Sequence, residues 1–461
     1  MNTKQYFKVL FGSLSLFASG FVFASSPSIV DESVSMTQDP VSQQVTVSYE
    51  LENDPGIITV DFLTNGVSIG AKNIGSLAGD VNKLVQPGVK TIYWHPSKSW
   101  PGNIAITEGV QAKVTAWPTN SPPDYMVIDM TLGPSDTTIP ASERIRYYTC
   151  AEAIDIPGGI EGDLCKTDYL VLRKIHAAGR TFSMGAAKNF ADGYEWEGTK
   201  VQSSSITPHI VQFTNDYYIG VYEFTQQQWR HLATTNWFYF KSEGGMRPVE
   251  GVGGVRIRGY MNDKNDSSQK IWPRDGRAVT EKYAKKYTAI TQLRKIAGGL
   301  LLDLPTEAQW EFAARAGRCG AMPNGSPIFA ETEIGRFGRF PSSQNLPEGI
   351  TVDSDTLPSE GGTAIVGSYP PNAWGLYDML GNVMELCLDA WKPSGFYDMD
   401  VVYIDPVGPF ETATDLRFRV VKGGHWNSAW PLTGRSFVNI NHINGDEHTK
   451  YMGFRVCLTL P

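Results

Sequence analysis

The sequence predicts an α+β chain of two folded units, an all-β immunoglobulin-like sandwich followed by a larger loop-rich unit. Three observations point that way. Early segments alternate apolar and polar residues with period two. Glycine, proline and aromatic residues are abundant, at 46 Gly, 28 Pro, 12 Trp, 20 Tyr and 21 Phe, and only a few segments carry helix-capping residues. Apolar residues make up 41% of the chain and charged residues 19%, which excludes a coiled coil or a disordered tail. With 40 basic against 48 acidic residues the net charge is −8. No basic face is available for a phosphate backbone, so no nucleic-acid partner is expected.

Residues 1–24 read as an export signal rather than structure. Lys4 and Lys8 open it, Val9 to Phe23 form an apolar run, and Val22-Phe23-Ala24 is a small-residue cleavage pattern. Cleavage is expected after Ala24, giving a secreted or periplasmic protein. The run is shorter than the ~20 residues a bilayer core requires, and nothing beyond Ser26 is apolar enough to span a membrane. Export permits disulfides, but five cysteines leave at least one unpaired. Cys150 and Cys165 flank a loop containing Pro157-Gly158-Gly159, where a bond could close. Cys319, Cys387 and Cys457 are scattered and read as buried apolar side chains.

The sandwich is assigned to residues 27–132. Val45, Val47 and Tyr49 alternate with Thr46, Ser48 and Glu50, and further β-rich runs lie at Ile57 to Phe62, Lys90 to Trp94, Gln111 to Trp117 and Tyr125 to Leu132. It holds no nucleophile, metal spacing or phosphate loop, so a spacer or docking role is expected. Residues 133–144 are polar and turn-rich and read as a linker, and 145–461 as the second unit. Its clearest helix is Glu307 to Arg315, with Thr306 as cap and Gln309 at the reciprocal capping position. Glu311 and Arg315 are expected to pair on that helix's surface. Further helices are expected at Thr225 to Leu232 and Glu281 to Ile296. The remainder is irregular, and its backbone groups must find side chains, water or ions.

Five segments carry chemical information: Phe182 to Gly185, Phe213 to Thr225, Leu304 to Phe312, Asn372 to Glu385, and Val421 to Trp426 closing with Gly453-Phe454-Arg455. In order, spacing and chemistry they resemble the formylglycine-generating enzyme family, also called sulfatase-modifying factors. The resemblance covers about Tyr169 to Pro461 and leaves the sandwich outside it. It implies a C-type-lectin-like fold braced by calcium. In the family's active enzymes a cysteine pair binds copper and, with oxygen, converts a sulfatase cysteine to formylglycine.

By resemblance the calcium ligands are the side chains of Asp378 and Glu385 and the carbonyls of Gly381 and Val383. Hard Ca²⁺ takes six to eight oxygens, many of them from backbone, which this Gly-Asn turn can supply. The alternative is that Glu385 pairs with Arg455. Copper is not expected. Its two cysteine positions fall on Ser428 and Thr433, hydroxyls do not suit soft Cu(I), and no cysteine lies between Cys387 and Cys457. A disulfide found in some members maps to Ala314 and Val456, apolar on both sides.

His425 stands where the family has a small serine, and with Ser428 and Thr433 it marks the candidate catalytic positions. Beside Trp426 it could ligate a metal or act as acid or base. Related non-haem iron enzymes carry their iron histidines in a helical domain this chain lacks, and His442 and His448 have no helical spacing. Gly251-Val252-Gly253-Gly254 opens no βαβ unit, and neither Ser183, Ser204 nor Ser428 sits in a nucleophile elbow. The functional expectation is therefore a divergent family member that binds a glycan or peptide. The alternatives are an active oxidoreductase on a protein cysteine and another metal-dependent oxidation on the same scaffold.

Overall fold

The computed structural model describes residues 26–103, 106, 109–185, 208–233, 238–241, 245–258, 261–262, 270–271, 288–318, 335–340, 361–390, 398, 400–407, 418–428, 443–444 and 449–461. Residues 1–24, read from the sequence as a signal, and Ser204, Cys319, Thr433, His442 and His448 lie outside the described residues.

Nine strands build the first unit: β1 (Ser28–Ile29), β2 (Ser35–Gln38), β3 (Val45–Glu52), β4 (Gly56–Thr64), β5 (Val67–Ser68), β6 (Ala78–Gly79), β7 (Leu84–Val85), β8 (Gly88–Trp94) and β9 (Val110–Trp117). They form two antiparallel sheets. One runs β1-β3-β8-β6 with β2 also on β3, and the other centres on β4, flanked by β5, β7 and β9. The alternation in β3 does what it predicts: Val45, Val47, Tyr49 and Leu51 turn inward and the residues between them do not. Between the sheets Trp94 stacks on Phe62 with ring centroids 4.0 Å apart, over an apolar core that includes Ile58 and Ile92.

Tyr125–Asp129, expected to finish the sandwich, belongs elsewhere. This strand, β10, pairs antiparallel with β11 (Ile145–Tyr148) and β12 (Tyr169–Ile175), and the sheet continues through β15 (Tyr217–Gly220) to β23 (Cys457–Thr459) in the order β11-β10-β12-β15-β23. Periodicity says that a segment is a strand but not which sheet it joins. Here burial on both faces decides: Met126 and Ile128 enter one apolar cluster, Tyr125 and Val127 another.

The stretch read as a linker is tied down. Buried Arg144 donates to the carbonyls of Leu132, Gly133, Asp136 and Ile139, so residues 132–139 wrap around one guanidinium. The two units also share packing, because Ile57 on the outward face of β4 enters the second unit's main cluster, with Leu84 and Trp117 against it. Lys83 pairs with Glu143 at 2.8 Å, and the Tyr147 amide donates to the Asn82 carbonyl at 2.8 Å.

Beyond that sheet, β13 (Thr181–Met184) and β14 (His209–Gln212) pair antiparallel, with β19 (Val402–Ile404) parallel to β14. A two-residue pair joins β16 (Met261–Asn262) to β17 (Lys270–Ile271). A four-stranded sheet runs β21-β20-β18-β22, from β18 (Met384–Ala390), β20 (Phe418–Lys422), β21 (Ile443–Asn444) and β22 (Met452–Gly453). The helices Gln226–Leu232 and Glu307–Arg315 both begin with complete capping boxes, from Thr225 with Gln228 and from Thr306 with Gln309. The helix expected from Glu281 is seen over Ala289–Ile296, capped by Thr288, and residues 281–287 lie outside the described set.

The Glu307–Arg315 helix is buried along its whole length, so the Glu311–Arg315 pair is interior rather than on the surface. Lys422 lies between Glu311 at 3.0 Å and Glu307 at 3.4 Å. Burial would strip the Lys422 charge, but the facing carboxylates outweigh it and hold the ammonium above its usual range. Cys150 and Cys165 do not bond and remain free thiols; the Cys165 sulfur donates to the Gly159 carbonyl at 3.2 Å instead.

Replacing Arg144 leaves four carbonyls without their donor. Arg144→Ala is expected to lower the unfolding free energy by about 2–4 kcal/mol, read from urea unfolding followed by circular dichroism. Arg144→Lys should recover only part of it, since an ammonium lacks the planar fork.

Candidate functional site

Two turns meet at the site, and each needs left-handed backbone. After β20 the chain reverses through Gly423 and Gly424, at φ 89° and 77°. A Cβ on Gly423 would lie 3.2 Å from the Trp310 ring. The facing turn carries Asp378, Gly381 and Asn382, also at positive φ, where Asp and Asn are the tolerated side chains. A Cβ on Gly381 would fall 2.5 Å from the Arg339 carbonyl. The Gly381 amide donates to the Gly423 carbonyl at 2.8 Å, and the Trp426 amide to the Asn382 carbonyl at 2.8 Å.

Beneath these turns lies a buried charge cluster. Arg455 grips Glu385 with two bonds of 2.7 Å, and its remaining donors reach the carbonyls of Gly220 and Tyr377. The Trp310 indole adds a 2.7 Å bond to Glu385. The pairing of Glu385 with Arg455, one of the two possibilities raised by the sequence, is thus present. Glu223 accepts from the Asn382 amide side chain at 2.6 Å and from the Val383 amide at 3.1 Å. Asp378 accepts from the Gly367 amide with one oxygen at 2.6 Å, while its other oxygen, Oδ1, is buried without a hydrogen-bond partner.

Burial pushes Asp378 up to about 6, and burial together with the Asp378 and Glu385 charges drives Glu223 well above the carboxylate range. Three carboxyls share one guanidinium, and the excess is met by holding Glu223, and in part Asp378, toward the neutral form. Among the described residues no three His, Cys, Asp or Glu side chains gather closely enough to hold a metal by themselves. A cation here would lean on carbonyls such as those of Gly381 and Val383. The orphaned Asp378 oxygen and the excess of carboxyls over guanidinium groups fit that demand, and Glu385 keeps acceptor capacity beyond its bonds to Arg455 and Trp310.

Of the three candidate catalytic positions, His425 and Ser428 share one tight turn and Thr433 lies outside the described residues. Ser428 Oγ accepts the His425 amide at 2.9 Å, and the Ser428 amide returns to the His425 carbonyl at 2.8 Å. The His425 ring accepts the Asn427 amide through Nδ1 at 3.2 Å, so the ring is not positioned as a base for the serine. Burial lowers the His425 pKa to about 4, which keeps the imidazole neutral near pH 7.

Aromatic rings gather around the His425 turn. The His425 ring lies 4.4 Å from Tyr451, Tyr451 lies 5.5 Å from Trp426, and Phe240 meets Trp426 edge-on at 5.4 Å. The Lys450 ammonium sits 5.3 Å from the Trp426 ring centre and 5.5 Å from that of Tyr451. Phe240, Lys450 and Tyr451 were not identified from sequence; the one available signal is that Lys450-Tyr451 run directly into Gly453-Phe454-Arg455. The expected apolar replacement of a disulfide fits its surroundings, as Ala314 and Val456 are both buried.

An irregular α+β unit built on Gly-Asn and Gly-Gly turns around a buried Glu-Arg pair defines the class. Residues 172–460 match the sulfatase-modifying factor enzyme 1-like domain, and the chain belongs to that family. A formylglycine-generating enzyme of Thermomonospora curvata is 40% identical over 33% of this chain and 48% of its own length. A serine/threonine-protein kinase, pkn1, of Chlamydia pneumoniae is 34% identical over 41% of this chain and 27% of its own length. The chain thus spans between about a quarter and a half of the length of these curated relatives. Among solved structures, variable protein 1 of Treponema denticola is similar at a TM-score of 0.42 and 22% identity, over 64% of this chain and 96% of that one.

Because the folded His425 titrates below its unfolded value of ~6.5, neutral His425 contributes stability above that pH. The contribution is lost as pH falls toward about 4. The ring is expected to show an NMR titration midpoint near 4, and His425→Gln should flatten the fall in melting temperature between pH 6.5 and 4.5.

Proposed function

We propose that the C-terminal unit is a divergent family member that binds a glycan or an extended peptide in the cleft beside Gly423-Gly424 and does not oxidise cysteine. One observation carries the reading. Ser428 occupies the position where the resemblance puts a copper cysteine, and its hydroxyl is committed to capping the His425 turn. The sequence offers no substitute thiol between Cys387 and Cys457. The part-exposed rings of Tyr451 and Phe240, braced by the buried Trp426, support binding, since such rings stack on the apolar face of a sugar or on peptide side chains at low entropic cost. The matching segment also occurs in a relative named as a kinase, which fits a domain not tied to one chemistry.

The reading includes an exported protein, secreted or periplasmic, in which the sandwich holds the cleft away from the chain's start. No helix among the described residues is long and apolar enough to cross a membrane. It also includes a structural calcium ion held by Asp378, Glu385 and the carbonyls of Gly381 and Val383, offsetting the buried negative charge rather than taking part in chemistry.

Incubation of the mature protein with copper, oxygen and a peptide carrying a Cys-x-Pro-x-Arg sequence should leave the cysteine intact by mass spectrometry. Aldehyde formation would instead establish the oxidoreductase activity for which the Thermomonospora relative is named. Glycan and peptide arrays should give hits that weaken at least tenfold in Trp426→Ala; arrays without hits would sink the binding reading. Chelation should lower the melting temperature by several degrees, and an unchanged melt removes the calcium.

A further inference from the structure

A second cavity lies outside the family domain, where the sandwich meets the second unit. It encloses about 260 Å³. Its floor is the outward face of the β4–β9 pair, where register places Thr59 opposite Thr115 and Asp61 opposite Lys113. Trp117, next on the same face, donates its indole N–H to Thr59 Oγ1 at 2.8 Å. The sandwich's own excursion after β5 forms one wall, through Ser68, Ile74 and Leu77, and the second unit forms the other through Tyr148 and Thr149. Both walls are fixed: the Tyr147 amide is bonded to Asn82, and Asp155 accepts the Ser76 amide.

The chemistry of this cleft is specific. Asp61 and Lys113 are directly opposed across the strands, so the floor contributes one charge of each sign and no net charge. Around them stand hydroxyls that can both donate and accept. Thr59 Oγ1 already accepts the indole hydrogen and keeps its own proton to give, and Ser68 donates to Asp61 Oδ1 at 2.8 Å. Beside these lie ring and aliphatic surfaces from Trp117, Ile74 and Leu77. A volume below the ~300–1,000 Å³ of sites for drug-sized ligands calls for one small ring. We propose that this interunit cleft is a binding site for a neutral, hydroxyl-rich ligand of monosaccharide size, with Asp61, Lys113, Thr59 and Thr115 bonding its hydroxyls and Trp117 meeting its apolar face. The site is independent of the Trp426 cleft and adds a second recognition point to a sandwich otherwise read as a spacer.

The test uses the mature full chain with millimolar glucose, galactose, mannose and N-acetylglucosamine, read by saturation-transfer NMR and by tryptophan fluorescence. Glutamate and tetramethylammonium serve as the anionic and cationic probes. At least one sugar should bind and the charged probes should not. Lys113→Ala, at an exposed position chosen to leave the fold intact, and Thr115→Leu, which fills the floor, should each weaken binding at least tenfold, while Val41→Ser, exposed and outside both sites, leaves it unchanged. Absence of binding by every sugar, preference for a charged probe, or binding that survives both cleft variants would overturn the proposal. Loss of sugar binding in Trp426→Ala alone would also overturn it and assign the signal to the other cleft.

Discussion

The guanidinium of Arg455 is the point on which the C-terminal unit depends. It is fully buried, it holds both oxygens of Glu385, and it reaches carbonyls at Gly220, Val221 and Tyr377. Those partners come from two of the motif segments and Arg455 from a third, all remote in sequence and gathered around one side chain. Glu223 does the same for the Asn382 turn. A fold with so little regular helix or sheet must find partners for its backbone groups by other means. Here buried charged side chains take the role that ladders play elsewhere. Removing one member of such a pair leaves the other charge buried and alone, which costs far more than the pair itself contributes.

This arrangement holds the turn after Gly423-Gly424 in shape through backbone contacts. The turn after Gly424 is fastened to the Asn382 turn by backbone bonds, and Ser428 closes it from within. None of these contacts needs a thiol. A thiol at 428 is therefore not required for the turn's shape, and the hydroxyl there has a structural use of its own. The aromatic wall is likewise held by backbone, since the Trp426 indole donates to the Lys450 carbonyl at 3.0 Å.

Much of the architecture was legible in the residues. Capping boxes at Thr225 and Thr306 mark helices because their signals are local, and the alternation in Val45 to Glu50 marks a strand for the same reason. The motif segments identified the family, and the possible pairing of Glu385 with Arg455 could be read from them. What was not legible is non-local. Tyr125–Asp129 alternates like a sandwich strand, yet its neighbours are β11 and β12. Residues 133–144 look like a free linker because nothing in their own sequence reveals that Arg144 folds back on them. Glu311 and Arg315 have the spacing of a surface pair, and only the approach of Lys422 from another strand makes them interior. Phe240, Lys450 and Tyr451 escaped notice because an aromatic wall assembled from separate loops leaves no spacing to read.

The sheet that joins the two halves carries a consequence for how the protein is made. Its strands β10 and β12 are synthesised early, but Tyr217 of β15 pairs with Thr459 of β23, near the last residue of the sequence. The sandwich core can close as soon as β9 leaves the ribosome. The edge of β15 must then wait for almost all of the remaining chain. Loop closure over such a span is slow, and an open strand edge attracts other chains in the meantime. The last three strand residues thus set the timing of assembly for a domain that begins more than half the sequence earlier.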